Sequence, residues 1–523
     1  MLASDVPPGL SEDFLEKTLS DVAPEIKEIL LDKAILHRYK QALDQLITGE
    51  DKNKLLLFLI CLTSHTDKVL GAIIMGESSA GKSHLMNSVL KFFGNVEEYT
   101  RITRASPDRL ARDFTNRILK IEELRGAEKA QSTLRVWISE GKLRLLTTTI
   151  GEDGKTTTEV IETNGMPCFI TSSTSVRPDE ELLNRLFLIS IDETEAQTKH
   201  VLEYEAQEFM DPDFEEKAQP PEQLIEAITV IAATPFYHVL IPFADQLANK
   251  FPTKSVKARR DFKKLLYIIG AVAFLHQFQR PVVYKAKHRQ YVVALPVDFL
   301  IAWKIAEEGM RETLMNLQKR SLQVLELFKD PDIESLTSRQ VATQTRLSQN
   351  RAREILNGLV DFGYLVKDRS KKEHSFSLKG NIDVDGTIGD FEASSLSFGE
   401  KQLEKWLIDK NLKTRRRLWV THYINPITGE EQPWTYSRVM KKTERKVEST
   451  VKRQKSLVEA SKSLIVPSLN IKSVTKVEPH VDICTRCRKK EILHWQFESF
   501  KDERGELCQD CAEPLKRKMQ GTV

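Results

Sequence analysis

Eight consecutive residues, Gly76-Glu77-Ser78-Ser79-Ala80-Gly81-Lys82-Ser83, constrain this chain more than any other stretch. They follow an apolar run, Val69 to Met75, and open a segment from His84 to Phe93 in which Leu85, Met86, Val89 and Leu90 recur at helical spacing. The order strand, glycine loop, helix predicts a cradle for phosphates. Glycines let successive backbone N–H groups turn inward, the lysine neutralises the β and γ oxygens of ATP, and Ser83 offers its hydroxyl to Mg²⁺. The helix N-terminus adds a favourable field for the same anion. The nucleotide-binding set is therefore Gly76, Glu77, Ser78, Ser79, Ala80, Gly81, Lys82, Ser83 and His84. The alternative, a glycine-containing surface loop, does not account for the flanking strand and helix.

The chain has 523 residues, room for several domains, with 40% hydrophobic and 29% charged residues, the balance of an ordinary soluble protein. No apolar run reaches the ~18 residues of a membrane span. Met1 to Asp5 lacks the basic-then-apolar order of a secretory signal, so the expectation is a cytoplasmic protein without a membrane partner. A net charge of +3 is too small to imply nucleic acid, but Lys and Arg gather beyond residue 400.

Residues 1–50 read as helical, with Ile26 to Leu46 apolar at mixed three and four spacing, and are expected to cap a core spanning 51–305. Within that core, Val96 to Arg104 predicts a short strand and Pro107 to Thr115 a helix. Arg117 to Leu124 predicts a buried strand ending in Glu122 and Glu123. A strand ending in two carboxylates suits nucleotide hydrolysis: Glu122 would order the water around Mg²⁺ and Glu123 would polarise the attacking water. The alternative is a solvated acidic turn.

Ala127 to Glu140 predicts a helix ended by Gly141. Leu143 to Ile150 and Thr156 to Thr163, around a Gly/Asp tip, predict a β-hairpin. The next strand, Pro167 to Thr174, ends in hydroxyls; Thr174 is the candidate γ-phosphate sensor, with Ser173 as substitute. A short helix then brings Arg185 to the start of a further strand, a placement suited to an arginine finger reaching an adjacent subunit. Pairing with Asp179 or Glu181 on its own helix is the alternative. From Glu193 to Trp303 the chain reads as mostly helical, and Arg259 and Arg260 open a helix from which a lid could reach the nucleotide.

The phrases GESSAGKS, KIEEL, FITSST, LLNRLFLI and ARRDFKKLL, with the hairpin between 143 and 163, resemble an AAA+ ATPase of the group carrying a hairpin before the sensor strand. Superfamily 3 and minichromosome maintenance helicases belong to that group. SSAGKSHL, LRVWISEGKL and RRDFKKLLYIIGAVAFLHQFQR are similar to the helicase half of primase–helicase replication proteins of mobile elements. The resemblance covers roughly residues 50 to 305. It implies a hexameric ATPase with a helical lid that translocates on single-stranded and forked DNA, Lys82, Glu123 and Arg185 being catalytic, Arg260 a second sensor, and Lys155 at the hairpin tip following DNA. Glu122 departs from the family's usual Asp. No primase motif is present, so priming would need a separate polypeptide. The rival expectation is an ATP-switched loader, initiator or regulator that binds DNA without unwinding it.

Beyond the core, 306–380 is similar to a winged helix. Met310 to Leu327 predicts one helix, Leu336 to Thr345 and Leu347 to Val366 predict helix, turn, helix, strand, and Ser338 and Ser348 are the expected N-caps. The second helix would offer Arg351 and Arg353 to a DNA groove. Protein binding is the alternative. Residues 381–400 read as a linker and 401–475 as a basic region where Arg415, Arg416 and Arg417 stand near Trp419, Tyr423, Trp434 and Tyr436, a pattern suited to phosphate contact and base stacking. In 476–523, Cys484, Cys487, Cys508 and Cys511 form two CxxC pairs whose spacing predicts a closed, structural Zn²⁺ site. The expected fold class is thus α/β: a P-loop core with a helical lid, then a winged helix and a small zinc-binding module.

Overall fold

A computed structural model describes residues 14–100, 112–122, 128–150, 156–174, 180–234, 238–253, 256–285, 289–330, 332–368, 374–379, 396–414, 419–433, 471–483, 490–499 and 504–508. The chain divides into two units, Met1–Arg438 and Val439–Val523.

The first unit opens with α1 (Phe14–Asp21), α2 (Pro24–Leu31), α3 (Ile35–Asp44) and α4 (Asp51–Leu62). Every residue of α4 from Lys54 to Leu62 is buried, as its all-round apolar sequence requires. The one cation in that run, Lys54, faces Asp44 and Asp51 and donates to the Gly49 carbonyl at 2.8 Å. That compensation offsets a desolvation penalty on the order of several kcal/mol.

Next come β1 (Ala72–Met75), α5 (Lys82–Leu90), β2 (Val96–Tyr99), β3 (Ile118–Ile121), α6 (Glu128–Glu140), β4 (Lys142–Ile150), β5 (Thr156–Asn164), β6 (Cys168–Ser173), α7 (Glu180–Leu183) and β7 (Phe187–Ser190). Five strands pair in parallel in the order β2-β3-β6-β1-β7. A parallel sheet must be covered on both faces, and the two-residue period of the strands divides its apolar side chains accordingly. Ala72, Ile74, Ile118 and Ile170 join the core that contains α4 and α5. Ile73, Met75, Leu119 and Phe169 join a second core with Leu134 and Trp137 of α6 and Leu182 of α7. With β6 between β1 and β3, the carboxyl ends that carry Gly76, Glu122 and Thr174 lie side by side, the edge where open α/β sheets bind ligands.

The hairpin forms at the predicted place, paired from Lys142↔Asn164 to Ile150↔Thr156. Its base is buried at Leu143 and Thr163, whereas Leu146 and Val160, opposite each other further out, are 70% and 62% exposed. The helix predicted from Pro107 to Thr115 does not reach its expected end. Asp113 bridges to Asn164, and its carboxylate accepts from the Thr115 N–H at 2.8 Å, a local turn that competes with helix. Gly165 closes the hairpin at φ 82, where a Cβ would stand 2.1 Å from the Thr115 nitrogen.

The chain continues through α8 (Glu195–Met210), α9 (Phe214–Lys217), α10 (Glu222–Ala233), β8 (Val239–Leu240), α11 (Ala244–Lys250), α12 (Ala258–Leu275), β9 (Val282–Lys285), β10 (Arg289–Val293) and α13 (Pro296–Met315). The mostly helical expectation misses the small sheet of β8, β9 and β10. One helix was expected from Met310 to Leu327; instead Asn316, at φ 54, ends α13 and α14 (Lys319–Glu326) starts afresh. Asparagine tolerates that left-handed conformation, and its side-chain amide donates to Asn184 Oδ1 at 3.1 Å.

Glu312, on α13, is 4% exposed. Burial pushes its carboxyl up to about 8, with Ser190 and Lys319 opposing the rise and Glu308 adding to it. An unfolded glutamate titrates near 4.5, so the cost of keeping this group folded is absent below that pH, grows as pH rises, and is fully present above 8. Glu312→Gln is expected to stabilise the protein by an amount that increases between pH 5 and 8, by at most about 1.4 kcal/mol per pH unit. Urea denaturation across that range tests this; an equal gain at both ends contradicts it.

Next stand β11 (Leu336–Thr337), α15 (Ser338–Thr345), α16 (Gln349–Asp361), β12 (Leu365–Asp368) and β13 (Ser375–Leu378) around their own core. The strands pair antiparallel in the order β11-β13-β12. Ser348 caps α16 by accepting from the Arg351 N–H, as expected. Thr337 rather than Ser338 caps α15: its hydroxyl accepts from the Gln340 N–H and the Gln340 side chain accepts from the Thr337 N–H.

The linker expected over 381–400 is packed at its far end, where Leu396 and Phe398 are buried and Phe398 meets Phe243. After α17 (Glu400–Asp409), β14 (Lys413–Thr414) adds to β9, and β15 (His422–Ile424) pairs with β16 (Glu431–Pro433). Tyr423, expected as a stacking surface, is buried: its hydroxyl donates to Gln432 and Lys304 lies over its ring. Trp434 and Tyr436 lie outside the described residues, as do Arg415, Arg416 and Arg417.

In the second unit, β17 (Ile471–Ile483), β18 (Lys490–Ser499) and β19 (Arg504–Cys508) form an antiparallel meander. Cys508 ends β19, while Cys484, Cys487 and Cys511 lie outside the described residues. Among the described residues no helix is long and apolar enough to cross a membrane, and no cluster of three or more His, Cys, Asp or Glu could hold a metal ion.

Candidate nucleotide site

The apolar residues of β1 fix the start of the loop, and the loop then turns through Ser79 and Gly81 at φ 62 and 85. A Cβ on Gly81 would meet open space, so what the position needs from glycine is the left-handed backbone alone. Lys82, the first residue of α5, is 8% exposed; its ammonium donates to the Gly76 carbonyl at 3.1 Å and to the Glu77 carbonyl. A buried cation is thereby held against the loop, at the place where the phosphates of a nucleotide would lie.

The carboxylate of Glu122, at the end of β3, accepts a hydrogen bond from the Ser83 hydroxyl and lies 3.0 Å from the Lys120 ammonium. The Ser83 bond is the largest cause lowering its pKa; burial opposes and Lys120 adds to the fall, so the group stays ionised. A hydroxyl and a carboxylate in contact are hard oxygen donors of the kind Mg²⁺ takes beside waters and phosphates, so the two residues fit the ion. The Ser172 hydroxyl of β6 donates to the Glu122 backbone carbonyl at 2.7 Å, tying the acidic turn to the next strand. Thr174 follows at the end of β6, half-buried beside the loop. Glu123 lies outside the described residues.

A cleft of about 490 Å³ runs from the loop to α8. Besides loop residues and His84, it is lined by Ile47, Thr48, Ile191, Gln197, Thr198, Val201 and Tyr204, and by the carboxylates of Glu50, Asp192, Glu193, Glu205 and Glu208. The apolar side chains give a flat base a surface, and the Tyr204 hydroxyl is anchored on the Gln45 carbonyl at 2.9 Å. Gln197 donates to the Thr48 carbonyl at 3.0 Å and passes so close to Gly49 that a Cβ there would stand 2.0 Å from its amide oxygen. Glu193 accepts from the Glu77 N–H at 2.6 Å, and Arg320 of α14 donates to the Glu193 carbonyl at 2.8 Å. None of these second-layer residues belongs to the sequence motif. They arrive from distant parts of the chain, and no local signal marks them.

Arg185 lies at the other end of the sheet. It precedes β7, whose first residue pairs with Ala72, whereas the loop follows Met75, about 10 Å along the strand. Its guanidinium donates to the Ser139 hydroxyl at 2.8 Å and to the Glu181 carbonyl. Glu181's carboxylate pairs with Arg135, and Asp179, the other partner considered from sequence, lies outside the described residues. Arg260 is exposed on the first turn of α12, and Lys264, one turn on, donates to the Leu186 carbonyl at 2.8 Å. That anchors the helix at the same far end, and Arg260 is not brought to its own chain's loop as expected of a second sensor. Arg353 is exposed on α16. Arg351 is not presented to solvent: its side chain is 15% exposed and its Nε lies 3.0 Å from Glu77 in the phosphate loop. Lys155 lies outside the described residues.

Residues 24–225 match a family model described as the MTBMA_p00010 P-loop domain. Among curated proteins, none matches the chain. The match and the geometry agree on a P-loop nucleotide-binding core, whose general activity is hydrolysis of a nucleoside triphosphate assisted by Mg²⁺.

Proposed function

We propose that the protein is an ATP-hydrolysing, ring-forming DNA translocase of the AAA+ class with a hairpin before the sensor strand, acting as a replicative helicase of a mobile element. The observation that carries this reading is the hairpin of β4 and β5. It enters between the acidic strand β3 and β6, and beyond its buried base it presents exposed faces at Leu146 and Val160. A protrusion at that point of the core has little use in folding and suits contact with a strand threaded through a ring, with Lys155 at the tip following phosphates.

The strand order, with β6 between β1 and β3, supports the same class. In the reaction, Lys82 and the loop N–H groups would hold the phosphates, Ser83 and Glu122 the Mg²⁺, and Glu123 would polarise the attacking water. Arg185, too far along the sheet to meet its own loop, would stabilise the transferring phosphoryl group of a neighbouring copy. The α15–α16 module has the element order of a winged helix, and Arg353 is its candidate DNA contact. The two CxxC pairs carry a structural Zn²⁺ on spacing alone.

A second reading, an ATP-switched loader or regulator, is favoured by Arg351 of α16, whose side chain lies against Glu77 of the phosphate loop. Strand displacement on forked DNA, run beside mass measurement of the assembled particle, separates the two. The motor reading expects ATP-dependent displacement by a multi-copy particle, and Lys155→Ala should abolish displacement while sparing most hydrolysis. A monomer that hydrolyses ATP and never displaces a strand supports the switch.

A further inference from the structure

We propose that Arg351 of α16 is a ligand of the terminal phosphate of ATP, supplied in cis by the module that follows the core, and that it lets the site distinguish ATP from ADP. The proposal rests on the nucleotide-binding reading of the loop and adds to it a residue that no phosphate-loop motif contains.

Three observations converge on it. First, a cavity of about 370 Å³ opens between the loop and α16, lined by Glu77 and Ser78 of the loop, Thr174 from the end of β6, and Ser348, Asn350, Arg351 and Glu354 of the module. Lys82 takes the β and γ oxygens, and Ser83 the Mg²⁺ beside them. The side where Ser78 and Thr174 meet is therefore where a third phosphate projects and a second does not.

Second, Arg351 is the cation lining that cavity among the described residues, and it lies between two carboxylates: Nε is 3.0 Å from Glu77 Oε1, and Nη1 is 3.2 Å from Glu354 Oε2. Glu77 and Glu354 are 51% and 61% exposed, so neither is a buried structural partner. A phosphate carries more charge than a carboxylate and presents three oxygens to the guanidinium fork, so it competes well for an arginine held by an exposed glutamate. Third, the module is tethered beside the loop by a separate contact: Arg320 donates to the Glu193 carbonyl, and Glu193 accepts from the Glu77 N–H. Arg351 thus needs only to exchange partners, and Glu77 is the group it leaves.

Equilibrium binding of a non-hydrolysable ATP analogue and of ADP to the full chain, with Mg²⁺, tests the assignment. Arg351→Ala is expected to reduce the preference for the ATP analogue over ADP about tenfold, and Arg351→Lys to keep part of it. Glu77→Gln, which removes the competing carboxylate, should tighten the ATP analogue relative to ADP, a gain that a poorly folded variant cannot mimic. Wild type that binds both nucleotides, with the Arg351 and Glu77 variants showing its unchanged ATP-to-ADP ratio, overturns the assignment alone. Wild type that binds neither nucleotide overturns the nucleotide-binding reading, and the assignment with it.

Discussion

Lys82→Ala is expected to weaken ATP binding by about 100-fold, equivalent to about 2.8 kcal/mol, and to abolish hydrolysis. The size follows from the surroundings. The ammonium is 8% exposed and donates to the carbonyls of Gly76 and Glu77, which hold it at the loop where the phosphates of ATP arrive. A charge-assisted contact in such a place is worth roughly 1.5–3 kcal/mol. Alanine would leave Ser79 and Gly81 in their left-handed conformations and the Ser83–Glu122 contact in place, so the fold of the loop should survive. Calorimetric titration with Mg²⁺ and ATP reads the effect; affinity within a few-fold of wild type would count against the assigned role.

The largest effect on stability is expected at Asp298. This carboxylate is fully buried and accepts from Arg280 Nε at 2.9 Å and Nη2 at 2.6 Å, and from the Leu295 N–H at 2.7 Å. It joins the strand pair β9–β10 to the start of α13. α13 in turn braces the edge of the parallel sheet through Thr313, which accepts from the Leu188 N–H at 2.9 Å, and through Gly309, where a Cβ would stand 2.9 Å from the Phe187 ring. Asp298→Asn leaves Arg280 charged and buried without a counter-ion. Breaking such a pair costs about 3–5 kcal/mol. Urea denaturation should show the midpoint falling with the slope unchanged. A loss under about 1 kcal/mol would mean that Arg280 finds another partner or reaches water.

The parts of this architecture that could be read from the chain are those encoded within a few residues. The phosphate loop carries its own strand and helix. The threonine-rich arms of the hairpin set their register around a short tip, and the Ser83–Glu122 pair follows from two motifs that a parallel sheet brings together. What escaped the reading depends on distant segments or on near-degenerate local choices. Thr337 and Ser338 are adjacent hydroxyls, either able to cap α15, and only the packing that buries Ser338 decides between them. β14 joins β9 across more than a hundred residues, so nothing near Val282 announces the fourth strand. Arg351 looked like a solvent-facing DNA contact because helix periodicity assigns a face but not the neighbour that covers it; that neighbour is Glu77. Thr48, Glu193, Gln197 and Tyr204 were likewise invisible as parts of the cleft, since each is an ordinary residue made functional by where it lands.

The most direct measurement is phosphate release from ATP by the purified full chain, with Mg²⁺ and then with Mg²⁺ chelated, beside the Lys82→Ala variant. Release that requires Mg²⁺ and vanishes with Lys82 is the predicted result. A chain that binds and consumes no ATP, with or without DNA, would contradict the nucleotide engine on which the motor, the switch and the Arg351 assignment all depend.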